Sequence, residues 1–184
     1  MLKCVIFTVV PRATILGDSI VKYIRYIPFT DVQSVPGATI RQLTDKIAKL
    51  PVELVVCAYK YIILSVGTND IEQSSIPAII HDYTNLIFTV KSLNREADII
   101  VAAILPRPVD FAVLGKKVIE VNKGLEQLAN VHGASFVKCY RPFLYSGKPI
   151  ESLFAHRDGG LHLNKEGTIR LRNFFKKVLA HKRK

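Results

Sequence analysis

Two runs of the chain, YIILSV at 61–66 and DIIVAAIL at 98–105, are apolar at nearly every position. A strand with one wet face alternates apolar and polar residues. A strand that is apolar throughout has both faces covered, as in a parallel sheet flanked by helices. Helical patterns separate and follow these runs. Residues 39–50 (TIRQLTDKIAKL) place Ile40, Leu43, Ile47 and Leu50 on one face, and Pro51 ends the pattern. Residues 76–93, 115–131 and 165–179 repeat the amphipathic theme, and 20–26 reads as a short helix. Extended runs at 12–16 (RATIL), 30–35 and 134–137 complete five strands. The alternation predicts an α/β fold: a three-layer α/β/α sandwich around a five-stranded parallel sheet.

With 184 residues the chain has room for one compact domain. The expected divisions are an N-terminal extension or extra strand at 1–11, the domain at 12–180 and a basic tail at 181–184. The apolar start, 5–10, is too short to span a bilayer and is followed by no small-residue cleavage site. It reads as an added strand or as a junction with a preceding segment. Three cysteines, Cys4, Cys57 and Cys139, are an odd number without a CxxC. This argues against a disulfide framework or zinc site and for a reducing, cytoplasmic setting. Cys57 and Cys139 lie in or near apolar runs and read as buried thiols. The formal charge of +11 predicts attraction to polyanions, either nucleic acid or an anionic membrane, and so an association with ribonucleoprotein or membrane.

In open parallel sheets, ligands bind beyond the carboxyl ends of the strands. After the first strand comes Gly17-Asp18-Ser19, which holds a serine hydroxyl at a strand-to-helix turn. That position suits a nucleophile whose substrate develops an oxyanion. The plainer reading is a helix cap in a glycine turn. After the second strand comes Gly37, whose N–H is open to a ligand or merely belongs to a turn after Pro36. After the third comes Gly67-Thr68-Asn69-Asp70, where Asn69 offers a side-chain amide to an oxyanion, or where Asn69 or Asp70 only caps the next helix. Before the last helix lies His162, with Asp158 upstream, placed to act as a base with its orienting acid or as a surface histidine. His81, His132 and His181 fall in or at the ends of predicted helices, away from this edge, and read as structural or solvated. No HExxH or DxD spacing calls for a metal, and no glycine-rich phosphate loop follows the first strand. No cofactor is expected.

The four segments together supply Ser, Gly, Asn and His in that order. In this the chain resembles the SGNH hydrolase superfamily, through GDSI at 17–20, Gly37, GTND at 67–70 and DGGLHL at 158–163. ILPRP at 104–108 looks like the segment after the fourth strand in platelet-activating-factor acetylhydrolase-like members, and Asn122 fits a recurrent asparagine of the following helix. GDSIV, IILSVGTNDI and DGGLHLNKEG resemble most the esterase domain of first-open-reading-frame proteins of LINE-type retrotransposons. The resemblance implies a flavodoxin-like sheet and a serine esterase acting on short-chain, chiefly acetyl, esters, those of lipids included. Ser19 would be the acylated nucleophile and His162 its base. The oxyanion hole would be the N–H groups of Ser19 and Gly37 with the Asn69 side chain. Implied partners are the ester substrate, a lipid or membrane surface, and nucleic acid bound through the basic charge or through other modules of a parent protein. The alternative is a non-catalytic module that binds nucleic acid or membrane by charge.

One departure matters. The family acid sits three residues before the histidine, where this chain has Gly159. Asp158 is one residue earlier. Two consecutive glycines permit a bulge that returns Asp158 to the histidine. Otherwise Asp158 pairs with Arg157 or faces solvent, and a backbone carbonyl orients His162 in a Ser–His dyad.

Overall fold

A computed structural model describes residues 12–49 and 59–184. The reading of 1–11 as an extra strand, and those of Cys4 and Cys57, lie outside the described residues. Five strands form one wholly parallel sheet: β1 (Ala13–Gly17), β2 (Thr30–Ser34), β3 (Tyr61–Ser65), β4 (Asp98–Ala102) and β5 (Ser135–Val137). Their order is β2-β1-β3-β4-β5. The chain leaves β1 toward one edge and returns to continue toward the other. The crevice beyond the ends of β1 and β3 is therefore the switch point where such sheets hold ligands.

The period-two alternation of the strands sorts the core into two layers. Leu16, Ile62, Leu64, Ile99 and Val101 face helices α1 (Ile40–Lys49), α3 (Ile76–Leu93) and α4 (Phe111–Val131). Ala13, Ile15, Tyr61, Ile63, Ile100 and Ala102 face the last helix, α5 (Lys165–Lys182), through Leu171, Phe175 and Leu179. Each buried Ile, Leu or Phe contributes about 1.5–3 kcal/mol from removed apolar surface. A one-turn helix, α2 (Asp70–Gln73), follows β3, and a two-strand ribbon of β6 (Leu144–Tyr145) and β7 (Lys148–Pro149) follows β5.

Local chemistry sets the boundaries. Thr39 and Gln42 form a reciprocal capping box at the start of α1, each side chain accepting the other's backbone N–H. Ser75 and Asn164 cap α3 and α5 by accepting from Ala78 and Gly167. Strand β4 ends at Ala102, and the buried stretch after it is bracketed by Asn122. The Asn122 amide donates to the Ile104 carbonyl at 2.9 Å and accepts the Ile104 N–H at 2.8 Å. Asn122 thus does for this stretch what a neighbouring strand would do.

The predicted helix at 20–26 is only a 3₁₀ turn over Ser19–Val21. Pro28 disfavours helical backbone at the residue before it, and Tyr26 and Phe29 have left-handed backbone, with φ of 61° and 52°. The last helix, predicted to 179, runs to Lys182, whose ammonium donates to Ser135 Oγ at 2.8 Å. Arg183 then donates to the carbonyls of Pro28 and Phe29. Among the described residues no helix is long and apolar enough to cross a membrane, and no cluster of His, Cys, Asp and Glu could hold a metal ion.

Candidate functional site

Gly17 ends β1 directly beside Ser65 of β3. A Cβ there would lie 2.2 Å from the Ser65 carbonyl oxygen, so only glycine lets the two strand ends close up. The chain then turns. Asp18 caps the turn by accepting the Ile20 N–H at 2.9 Å, and Ser19 opens it, partly exposed at the sheet edge. Ser19 Oγ lies 2.9 Å from Nε2 of His162, a residue 143 positions away. Nδ1 of the same ring lies 2.7 Å from Asp158 Oδ2.

Asp158 also organises the loop that carries His162. Its Oδ1 accepts the backbone N–H groups of Gly160, Leu161 and His162 at 3.2, 3.0 and 3.4 Å. Such a wrap needs left-handed backbone at the first two of the three intervening residues, and Gly159 and Gly160 supply it with φ of 68° and 93°. The shifted acid therefore reaches the imidazole through the double-glycine bulge. It does not pair with Arg157, and no backbone carbonyl takes its place at Nδ1. Partial burial raises the Asp158 pKa. The hydrogen bonds from the His162 ring and backbone and from Leu161 outweigh that and hold the carboxyl below its ordinary value. An ionised Asp158 accepts from Nδ1–H, which assigns the lone pair to Nε2, facing Ser19.

Gly37 lies exposed beyond the end of β2, and Asn69 beyond the end of β3. The Asn69 amide donates to the Ala38 carbonyl at 2.9 Å, tying the two loops. A carboxamide carries two N–H donors, so one remains. Gly37 and Asn69 share a cleft of about 320 Å³ with Thr39, Gln42, Glu72 and Arg107. Leu161, the residue before His162, also lines it, whereas Ser19 does not. Ser19, His162 and Asp158 are thus joined by direct bonds, and Gly37 and Asn69 by a shared wall.

Three residues of the site were assigned no role from sequence. Asp18 is fully buried, and its second oxygen accepts the Thr68 N–H at 3.3 Å. Burial pushes its carboxyl up to about 6, against the backbone bonds from Ile20, Thr68 and Gly67. Asp70, likewise pushed up to about 6 by burial, accepts the Ile40 N–H on both oxygens, at 3.3 and 3.1 Å. These carboxylates fasten the Ser19 turn and the Gly37 loop to the loop after β3. Arg107, buried, donates to the Thr68 carbonyl at 2.7 Å and pairs with Asp110, with Glu72 at 3.9 Å. The aspartates were visible in GDS and GTND, but as helix caps. The motif ILPRP marked Arg107 without indicating what it holds.

Solved structures with this fold come from varied proteins. One is a Streptococcus pneumonia protein provisionally identified as a platelet activating factor, 23% identical, with a TM-score of 0.77 over 95% of this chain and 86% of that one. Another is the psychrotrophic esterase EstA of Pseudoalteromonas, 14% identical, with a TM-score of 0.70 over 93% and 97%. A third is the OSK domain of Drosophila Oskar, 18% identical, with a TM-score of 0.72 over 90% and 86%. At these identities the likeness establishes the fold, that of the SGNH hydrolases. No curated protein matches the chain. The model of the GDSL-like lipase/acylhydrolase family matches residues 13–168, which include every residue of the site, and the chain belongs to that family.

Proposed function

We propose that the protein is a serine esterase that cleaves short-chain esters, acetyl esters foremost, through an acyl-Ser19 intermediate. The observation that carries this reading is the unbroken relay from Ser19 Oγ to His162 Nε2 and from His162 Nδ1 to Asp158. His162 takes the Ser19 proton as Oγ attacks the ester carbonyl. The carbonyl oxygen gains the charge and accepts from the backbone N–H groups of Ser19 and Gly37 and from the remaining Asn69 amide hydrogen. Ionised Asp158 stabilises the imidazolium and keeps it in register. The tetrahedral centre then collapses, His162 returns the proton to the leaving alkoxide, and the alcohol departs. Water enters, gives a proton to His162 and attacks the acyl-serine carbonyl. Collapse of the second centre returns that proton to Ser19 and releases the carboxylic acid.

The cleft bears on chain length. Its walls at Thr39, Gln42, Glu72 and Arg107 are polar, and its volume is about 320 Å³. Such walls favour a short acyl group over a long apolar chain. The likeness of GDSIV, IILSVGTNDI and DGGLHLNKEG to the LINE-type esterase domains supports the further reading that the domain belongs to a retrotransposon-encoded protein.

The test is hydrolysis of p-nitrophenyl esters of increasing acyl length, with Ser19→Ala beside the wild type. The expected result is turnover that is highest on the acetate, falls with chain length and disappears in the variant. Wild-type turnover no faster than Ser19→Ala on every ester would end the proposal.

A further inference from the structure

A second concavity, of about 550 Å³, opens between the turn after Ser19 and the first two turns of α5. It shares no lining residue with the cleft at Gly37 and Asn69. Its walls carry four cations, Arg25, Arg157, Lys165 and Arg172, and two tyrosines, Tyr23 and Tyr26. No acidic residue lines it, and among the described residues none of the four cations is in an ion pair. Arg25 donates to the carbonyls of Lys22 and Ile24, and Arg172 to Asn173, so both are positioned while their charge stays uncompensated. The tyrosines are 59% and 91% exposed, while the neighbouring Ile24 and Ile27 are buried. Tyr26 keeps this exposure at a left-handed φ of 61°, a conformation that costs a non-glycine residue free energy. Neither the core nor the relay at Ser19 uses these six side chains.

We infer that this groove binds a single-stranded nucleic acid, with its phosphates on the four cations and unpaired bases stacked on Tyr23 and Tyr26. Cations that track a backbone beside aromatic faces that stack on any base are what recognition of single strands requires. Guanidinium groups, three of the four, present forked donors that match phosphate oxygens. An anionic bilayer would draw on the same charge, but a bilayer is met by protruding surface, and these residues line a concavity. The groove ends at Arg157, which adjoins Asp158, so a bound strand lies alongside the relay without entering the polar cleft.

The test uses the full chain and a labelled RNA oligomer of about 12 nucleotides, read by fluorescence anisotropy. Sedimentation with phosphatidylserine vesicles runs in parallel. The oligomer is expected to bind, and to bind more weakly as salt rises. Arg172→Glu should weaken binding by about tenfold and flatten the slope of log affinity against log salt by about one. Tyr26→Ala should weaken it by roughly 5- to 100-fold through lost stacking, with the slope unchanged, and Tyr26→Phe should restore it. Lys116→Glu, on the exposed face of α4, is the control for diffuse charge and should leave affinity within about twofold. All three sites are partly or wholly exposed, and circular dichroism checks that each variant is folded. Any of three results would overturn the inference: no binding to the oligomer, an equal loss from Lys116→Glu and Arg172→Glu, or binding to vesicles alone.

Discussion

Asp158→Asn separates the two tasks of this side chain, because the loop dictates how the new amide must sit. In the wild type, Oδ1 accepts two firm backbone N–H bonds, at 3.2 and 3.0 Å, and a longer one at 3.4 Å. An asparagine keeps all three only by placing its carbonyl oxygen there. Its NH₂ then faces His162 Nδ1, where Oδ2 sat at 2.7 Å. That ring nitrogen must accept, so the proton moves to Nε2, and Nε2 can no longer take the Ser19 proton. Turning the amide over would set NH₂ against three N–H groups. At about 1 kcal/mol per lost bond the penalty is about 3 kcal/mol, which leaves the productive tautomer in about 1% of molecules. The variant also lacks the negative charge beside the imidazolium. Because His162 and Asp158 are 37% and 24% exposed, that charge is worth less than in a dry site, about a further 10- to 100-fold. The expected fall in kcat is about 1,000- to 10,000-fold, the scale on which serine hydrolases lose turnover when the triad aspartate becomes asparagine. KM and the melting temperature should stay near wild type, since the loop keeps its bonds. Steady-state kinetics on p-nitrophenyl acetate, with thermal melts, measure both. A folded Asp158→Asn with kcat within about tenfold of wild type would refute the reasoning and leave Ser19 and His162 as a dyad.

Three more outcomes follow from the same geometry. Asn69→Ala should lower kcat by roughly 100- to 1,000-fold with little change in KM, because the lost donor acts on the oxyanion and not on the ground state. Loss of its bond to Ala38 should also cost about 1 kcal/mol of stability, read from urea denaturation. Gly160→Ala should destabilise the chain by about 2 kcal/mol and slow turnover at least about tenfold, since φ is 93° and the new Cβ would lie 2.6 Å from Pro108 Cβ. Wild-type melting and kinetics in that variant would mean the loop is not held as described. Stability should fall as pH rises from 3.8 to about 6, because folded Asp18 and Asp70 keep protons over this window that the unfolded chain has released. For Asp18 the full effect is about 3 kcal/mol, and a urea midpoint equal at pH 5 and 7.5 would contradict it. Asp158 acts with the opposite sign, and its contribution is lost only as pH falls below the ordinary carboxylate range.

The sheet was legible because a doubly covered strand has a signature no other short element shares. YIILSV and DIIVAAIL gave β3 and β4, and the helix face of Ile40, Leu43 and Ile47 is buried as its spacing requires. Legibility failed at 20–26, where the apolar positions fit a helix but Pro28 and the left-handed backbone at Tyr26 decide otherwise. For the site, residue types after the first strand and before the last helix pointed to Ser19, His162 and Asp158, which the structure brings into hydrogen-bond contact, while sequence spacing alone left Asp158 ambiguous between three environments. The roles of Asp18 and Asp70 were hidden for a different reason. Asp18 caps its own turn and Asp70 sits in the first turn of α2, and what sets each apart is a bond to a backbone N–H at Thr68 or Ile40, 50 or 30 residues distant. A carboxylate whose partner is a remote peptide group leaves no mark in local pattern.

What survives the one-residue displacement of the acid is a distance, and the surrounding residues explain how it is held. Gly159 and Gly160 pack against Val109 and Pro108, so that an added Cβ would lie 3.0 Å from the Val109 side chain at the first and collide with Pro108, at 2.6 Å, at the second. That turn is pinned by Arg107, which reaches past it to the Thr68 carbonyl. The Thr68 N–H in turn bonds Asp18, and Asp18 caps the turn that presents Ser19. The acid loop, the ILPRP segment, the loop after β3 and the serine turn therefore form a closed ring, and the bond between Ser19 and His162 spans it. A buried guanidinium is costly unless its donors are met, so Arg107 is stable only while Thr68 and Asp110 stay in place. Its position in the ring ties the geometry of Asp158 to that of Ser19. On this argument a loop one residue longer between Asp158 and His162 is tolerated because the ring, not the spacing, fixes where the carboxylate meets the imidazole.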